Sequence, residues 1–239
     1  MGWSTTKTNL RIGVSDPFPS MPNGFVIEDH FLNSSVSTTA DSGNYTHARV
    51  GTGTAALQSN ADGGAIVLTT TTSDNDSDTI YPAGECFQTA ASDKQLAFHA
   101  RFKIGDVSEV GCFLGFHEKS TLTNGDVLAE TTKDGIGFYT THDGGGTPTL
   151  YCVCGNGTSQ NSVTTGVTLA DGTWYEVGFR VFNRDRVVFV IKDATGTWSN
   201  PYTSTTYIPT NALTMACQAK AVSAAAGVLT LDYWCGQSD

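Results

Sequence analysis

Three aspartates, Asp74, Asp76 and Asp78, alternate in the run SDNDSDTIYPAGE, and Glu85 stands at the twelfth position counted from Asp74. That is the ligand spacing of a calcium-binding loop. Thr79 occupies the place where an EF-hand needs glycine, and no helical pattern flanks the run, so an EF-hand is excluded. A looser calcium site on a β-loop is the remaining metal reading, and a solvated acidic turn is the plainer one. Cys152 and Cys154 form a C-x-C within LYCVCG. Zinc sites use C-x2-C pairs with a second pair or histidines at matching spacing, and neither occurs. No metal is therefore assigned.

The carboxylates that could do acid–base chemistry are scarce. A retaining glycosidase needs two carboxyl groups roughly 5–5.5 Å apart, one of them protonated. Glu28 and Asp29 are neighbours on an extended run and point to opposite faces. Glu176 is expected opposite Lys192, which would keep it ionised and unsuited to act as an acid. Glu85 and Glu109 fall near turns. His99 and His117 could share a face, but read most simply as surface histidines. There is no G-x-S-x-G elbow, phosphate loop or dinucleotide fingerprint. The sequence predicts no enzyme and no cofactor.

The elements that would position these groups are strands. In 95–118, Leu96, Phe98, Ala100, Phe102 and Ile104 alternate with Gln95, Ala97, His99, Arg101 and Lys103. That period of two marks a strand with one buried face. A tight connection over 105–108 and a second strand follow, with Val110, Cys112, Leu114 and Phe116 continuing the apolar set. Placing Phe102 opposite Cys112 makes this a hairpin. Its open face then carries His99, Arg101, Lys103, Gly111, Phe113, Gly115 and His117. Such a face could form a shallow sugar-binding groove, or its glycines could let a sheet, loop or subunit approach. A second hairpin starts at Asp171-Gly172. It pairs Phe182 with Arg186, Val181 with Val187, Phe179 with Phe189, Val177 with Ile191 and Glu176 with Lys192. Further strands are expected over 25–31, 45–50, 64–72, 134–141, 147–155, 211–222 and 226–234.

Short strands at this spacing, with no sustained 3.6-residue period, predict a single antiparallel β-sandwich over 25–239. The 239 residues suffice for one large all-β domain. The 26 glycines and only 15% charged residues suit strands and turns rather than coiled coil or disorder. A net charge of -10 offers no basic footprint for nucleic acid and disfavours anionic membranes. No apolar run approaches the roughly 20 residues of a membrane span, and the N-terminus lacks a signal-peptide core. The six cysteines are therefore expected as free, mostly buried thiols.

Residues 1–24 differ from the rest. They hold Pro17, Pro19 and Pro22, and their apolar residues are scattered. They are expected to form an extended arm lying along another surface, with Trp3, Leu10, Ile12, Val14 and Phe18 as its partner-binding anchors.

The runs SDNDSDTIYPAGECF, QLAFHARFKIGDVSEVGCFLGF, TKDGIGFYT, LADGTWYEVGFRV and GVLTLDYW resemble a group of tailed-bacteriophage structural proteins. The resemblance covers about 25–234. It implies a concanavalin A-like (laminin G-like) jelly roll of two packed antiparallel sheets, a homo-oligomer and a place on the virion. It carries over no catalytic residue. On this reading the chain is a non-enzymatic capsid decoration protein that binds the major capsid protein and stabilises the shell. The alternative is a lectin-like carbohydrate-binding module for host attachment, with Phe113 and Arg101 contacting the glycan. A glycosidase is a third and weaker reading.

Overall fold

The computed structural model describes residues 25–31, 36–37, 45–58, 64–82, 84–89, 95–119, 133–140, 148–192 and 195–238. The arm over 1–24, with Trp3, Leu10, Ile12, Val14 and Phe18, lies outside them. The strands among these residues are β1 (Phe25–Asp29), β2 (Val36–Ser37), β3 (Tyr45–Val50), β4 (Thr54–Leu57), β5 (Ile66–Thr69) and β6 (Ser77–Pro82). They continue as β7 (Phe87–Gln88), β8 (Gln95–Ile104), β9 (Val110–His117), β10 (Asp134–Thr140), β11 (Thr149–Asn156) and β12 (Gln160–Thr168). The last are β13 (Tyr175–Phe182), β14 (Arg186–Lys192), β15 (Trp198–Ser204), β16 (Ala212–Ala221) and β17 (Val228–Ser238).

They form two sheets. Sheet one runs β15-β14-β13-β8-β17-β5-β4, with β1 also on β17. Sheet two runs β12-β11-β10-β9-β16-β6-β3-β2, with β7 also on β16. Pairing is antiparallel except between β2 and β3. The sheets pack face to face as a sandwich, as expected for an all-β jelly roll.

The β8 sequence explains its place at the centre of sheet one. Leu96, Phe98, Ala100, Phe102 and Ile104 are buried, while His99, Arg101 and Lys103 are half-buried on the other side. The β9 prediction is half right. Val110, Cys112, Leu114 and Phe116 do join the core, but β9 is not the hairpin partner of β8. Phe102 pairs with Tyr175 and Leu231, whereas Cys112 pairs with Ala219 in the opposite sheet. The connection over 105–108 crosses the end of the sandwich. Gly105 N–H donates to Val228 O at 2.8 Å, and Val107 N–H donates to Asp171 Oδ1 at 2.8 Å. Two strands with one apolar face each bury the same residues whether they lie side by side or face to face, so periodicity alone could not separate the two arrangements.

The β13–β14 hairpin follows the expected register throughout, from Phe182 opposite Arg186 to Glu176 opposite Lys192. Its inward aromatics knit the layers together. Phe179 stacks on Phe98 within sheet one, with centroids 5.5 Å apart, and meets the edge of Phe116 from sheet two at 5.4 Å. Phe189 meets Phe138 from sheet two edge-on at 5.4 Å. Offset and edge-to-face contacts of this kind contribute about 0.5–1.5 kcal/mol beyond area burial. Four of the six thiols (Cys112, Cys152, Cys154 and Cys217) are buried, Cys86 is exposed and Cys235 half-buried, and all are free. Burial pushes the Cys112 thiol up to about 12, so it is inert at neutral pH.

Among the described residues, six strands fall outside the stretches that the sequence reading assigned to strands: β2, β4, β6, β7, β12 and β15. In β6, Asp78 is no part of a solvated turn. Its side chain is 0% exposed, and its Oδ1 lies 2.8 Å from His47 Nε2 across the β3–β6 pair. Its Oδ2 has no hydrogen-bond partner among the described residues. Removing the imidazole would leave a buried carboxylate without its principal neutralising contact. His47→Ala is therefore expected to cost about 3–5 kcal/mol in urea unfolding, and adding Asp78→Asn should return part of that loss. A loss under about 1 kcal/mol would contradict the pairing.

Candidate functional site

The outward face of sheet one carries the candidate site, and a bulge in β17 organises it. Leu231 and Trp234 both point inward and are fully buried although three residues apart. A register shift lies between Leu231, opposite Phe102, and Tyr233, opposite Arg101. The extra residue sends Asp232 and Tyr233 to the same outward side, which is what a bulge does to a strand. Asp232 Oδ2 there accepts from Arg101 Nη1 at 2.7 Å, and the Tyr233 hydroxyl lies 3.0 Å from His99 Nε2. On the inward side Trp234 Nε1 donates to Tyr45 Oη at 3.2 Å, and Tyr45 donates to Asp29 Oδ2 at 2.6 Å. The bulge is thus held from within as well as from without.

Four rings form a row across the strands. Trp198 from β15 lies 5.7 Å from His99 on β8; His99 lies 5.1 Å from Tyr233 on β17; Tyr233 lies 5.4 Å from His30 beyond β1. Trp198 packs against Ala97, as does Val190, so a small residue gives the indole room on the sheet. Beside the row, Glu176 joins three partners. Lys192 Nζ donates to its Oε1 at 2.8 Å, His99 Nε2 is 3.6 Å from its Oε2, and the Tyr233 hydroxyl is 3.5 Å away. His99 and Glu176 side chains keep 22% and 20% of their surface exposed, so the cluster is accessible. Trp174, at the end of the row's flank, lies beneath Arg101 at 4.5 Å and Lys103 at 4.8 Å.

The electrostatics leave neither Glu176 nor Tyr233 poised for proton transfer at neutral pH. The His99 contact first, and Lys192 with it, hold the Glu176 carboxyl down at about 2 despite its partial desolvation. Burial, and the Glu176 charge beside it, push the Tyr233 phenol above its ordinary range. Glu176 is therefore a permanent acceptor and Tyr233 a permanent hydroxyl at neutral pH, and neither is poised to exchange a proton there.

The residues expected to form one groove are separated by the sandwich. His99, Arg101 and Lys103 face outward from sheet one, whereas Gly111, Phe113, Gly115 and His117 belong to sheet two. Arg101 and Phe113 therefore cannot contact one ligand, and His99 and His117 are not neighbours. Phe113 is only 2% exposed and packs with Tyr81, Val153 and Ala216. Of the glycines on that expected face, Gly115 serves close packing of neighbouring strands: a Cβ there would stand 2.6 Å from Gly137 Cα. The acidic run does not converge. Asp74 is exposed, Asp76 accepts from the Thr71 hydroxyl, Asp78 is bound to His47, and Glu85 accepts from Lys119 N–H at 2.7 Å. Among the described residues no group of three or more His, Cys, Asp or Glu is placed to hold a metal ion. The sequence reading missed Trp198, Tyr233 and Trp174 as site residues. The inward spacing of three between Leu231 and Trp234 was the available signal for the bulge.

Glu176 links the site to pH. Its folded value lies below its ordinary 4.5, so its contribution to stability is complete above about 4.5 and is lost as pH falls towards about 2. Glu176→Gln should lower Tm by a constant amount above about pH 5, and the gap should close over the acid range below that. A gap that stays constant down to the acid limit would contradict the network.

No protein-family model matches the chain, and no curated protein matches its sequence. Solved structures do match its fold. Peanut lectin, solved with a nine-residue peptide, superposes with a TM-score of 0.63 at 10% identity, covering 91% of this chain and 98% of that one. Basic winged bean lectin with Tn-antigen gives 0.61 at 12% identity over 91% and 99% of the two chains. The exoplasmic/lumenal domain of VIP36, in a Ca2+/Man3GlcNAc-bound form, gives 0.57 at 13% identity over 81% and 83%. A Shewanella oneidensis MR-1 protein of unknown function gives 0.60 at 14% identity over 95% of each chain. The chain is an all-β sandwich with the concanavalin A-like jelly-roll fold of these lectins.

Proposed function

We propose that this chain is a non-catalytic carbohydrate-binding module and that the outward face of sheet one is its binding surface. The observation that carries the reading is the ring row Trp198–His99–Tyr233–His30, with the Glu176, Lys192, Arg101 and Asp232 charges alongside it. A pyranose presents C–H faces that stack on such rings and hydroxyls that bond to fixed charged groups. The row supplies both within one accessible strip. Two of the lectins of like fold were solved with glycans, which supports the class of ligand. Glu176, held ionised at about 2, is not the protonated acid that glycoside hydrolysis needs, which favours binding over cleavage.

Shell decoration rests on the sequence resemblance alone and is a separate proposal, compatible with a glycan-binding face. It places the chain in the virion, bound to the major capsid protein through Trp3, Leu10, Ile12, Val14 and Phe18. Deleting residues 1–24 should then abolish particle binding and leave the sandwich folded, and retained binding would remove the arm as anchor.

The glycan reading is tested on an array followed by calorimetry. Trp198→Ala is expected to weaken the best neutral hit at least about tenfold, the scale of a lost aromatic anchor in a binding site, with far-UV circular dichroism and cooperative thermal unfolding retained. Phe113→Leu should leave affinity unchanged. Equal affinity of Trp198→Ala and wild type would overturn the assignment of this face.

A further inference from the structure

The chain as a whole is acidic, with a net charge of -10, yet the outward face of sheet one gathers cations. Arg101 and Lys103 on β8, Arg180 on β13, and Arg186 and Lys192 on β14 stand against Glu28, which lies 3.2 Å from His30, and against Glu176 and Asp232. Arg101 pairs with Asp232 and Lys192 with Glu176. Lys103, Arg180 and Arg186 have no carboxylate partner among the described residues; Arg180 donates to Gln95 Oε1 at 2.6 Å. These surplus cations sit on rings at two stations. Lys103 shares Trp174 with Arg101, while Arg180 and Arg186 lie over Phe182 at 5.0 and 4.7 Å. Trp174 immediately precedes β13 and Phe182 ends it, so at roughly 3.3 Å per residue the stations are about 25 Å apart. His99, Glu176 and Tyr233 lie between them.

Charge on an aromatic ring is held in place without being neutralised, so each station keeps donors for an anion. Two cationic stations about 25 Å apart suit a polymer with widely spaced negative groups. Nucleic acid, with one charge per roughly 1.7 Å of duplex, would meet the acidic remainder of the surface along its length. We propose that the ligand of this face is a linear acidic polysaccharide lying along β13, its carboxylates or sulfates on the two stations and its sugar rings on the row between. This rests on the glycan-binding reading above and adds the sign of the ligand's charge and its direction on the sheet.

The test titrates the full chain with hyaluronan and with carboxyl-reduced hyaluronan, in which each carboxylate is an uncharged hydroxymethyl group, and with heparin and single-stranded DNA. The acidic polymer is expected to bind at least about tenfold more tightly than its reduced form at low salt, with the advantage shrinking as salt screens the stations. Tighter binding to heparin, with its several charges per disaccharide, than to hyaluronan would overturn the preference for widely spaced charges. Lys103→Glu with Arg186→Glu should abolish the advantage and leave binding of the reduced polymer intact. Equal affinity for the two hyaluronan forms overturns the acidic preference while the glycan reading stands. Binding of neither hyaluronan nor heparin also overturns it, and the neutral array with Trp198→Ala then decides the glycan reading separately. DNA bound as tightly as the acidic glycans overturns the choice of polysaccharide.

Discussion

Phe116 of sheet two sits against both Phe98 and Phe179 of sheet one, at 5.6 and 5.4 Å between ring centroids. That contact closes the sandwich, and it also fixes what sheet one shows to the outside. In a strand of period two, every ring committed to the core commits its neighbours to the opposite face. With Phe98 and Phe102 inward, His99, Arg101 and Lys103 stand outward. With Val177 and Phe179 inward, Glu176 and Arg180 do. A slip of one residue would lose the core and the outward cluster together, so packing and the candidate site share one constraint.

The strand that breaks this alternation is the one that completes the cluster. In β17 the bulge at Asp232 brings two consecutive residues outward, one to Arg101 and one to His99. Trp234, anchored through Tyr45 to Asp29, returns the strand to its inward phase. The charges that result are arranged as fixed acceptors and donors. Glu176 is kept ionised by the groups around it, and Tyr233 keeps its proton. On the proposed reading, such a surface recognises a shape and a hydrogen-bonding pattern rather than stabilising a developing charge.

Much of the architecture could be read from the residues. The alternation in β8, the register of the β13–β14 hairpin down to Glu176 opposite Lys192, and a single antiparallel sandwich followed from period and pairing, whereas the concanavalin A-like jelly roll was implied by the family resemblance. What failed was the assignment of strands to sheets. Two apolar faces joined by Gly105, Asp106, Val107 and Ser108 satisfy a hairpin and a sheet-to-sheet crossover equally well, and only long-range pairing with Leu231, Tyr175 and Ala219 decides between them. The expected groove fell with that assignment, because Phe113 went to one face and Arg101 to the other. The acidic run misled for a related reason. Aspartates at alternate positions mimic ligand spacing in a loop, but on β6 the same spacing sends Asp78 into the interior towards His47. Trp198 escaped notice because β15, reading WSNPYTS, has the composition of a loop, and its place beside His99 depends on a neighbour in the sheet rather than in the sequence.

The most direct measurement is an amide and indole chemical-shift map of the isotope-labelled protein titrated with its best glycan. The account predicts perturbations at Trp198, His99, Glu176 and Tyr233, spreading along β13, with the other sheet silent. Perturbations confined to Tyr81, Tyr139, Tyr151 and Val153 would place the ligand on the opposite face and contradict the central claim.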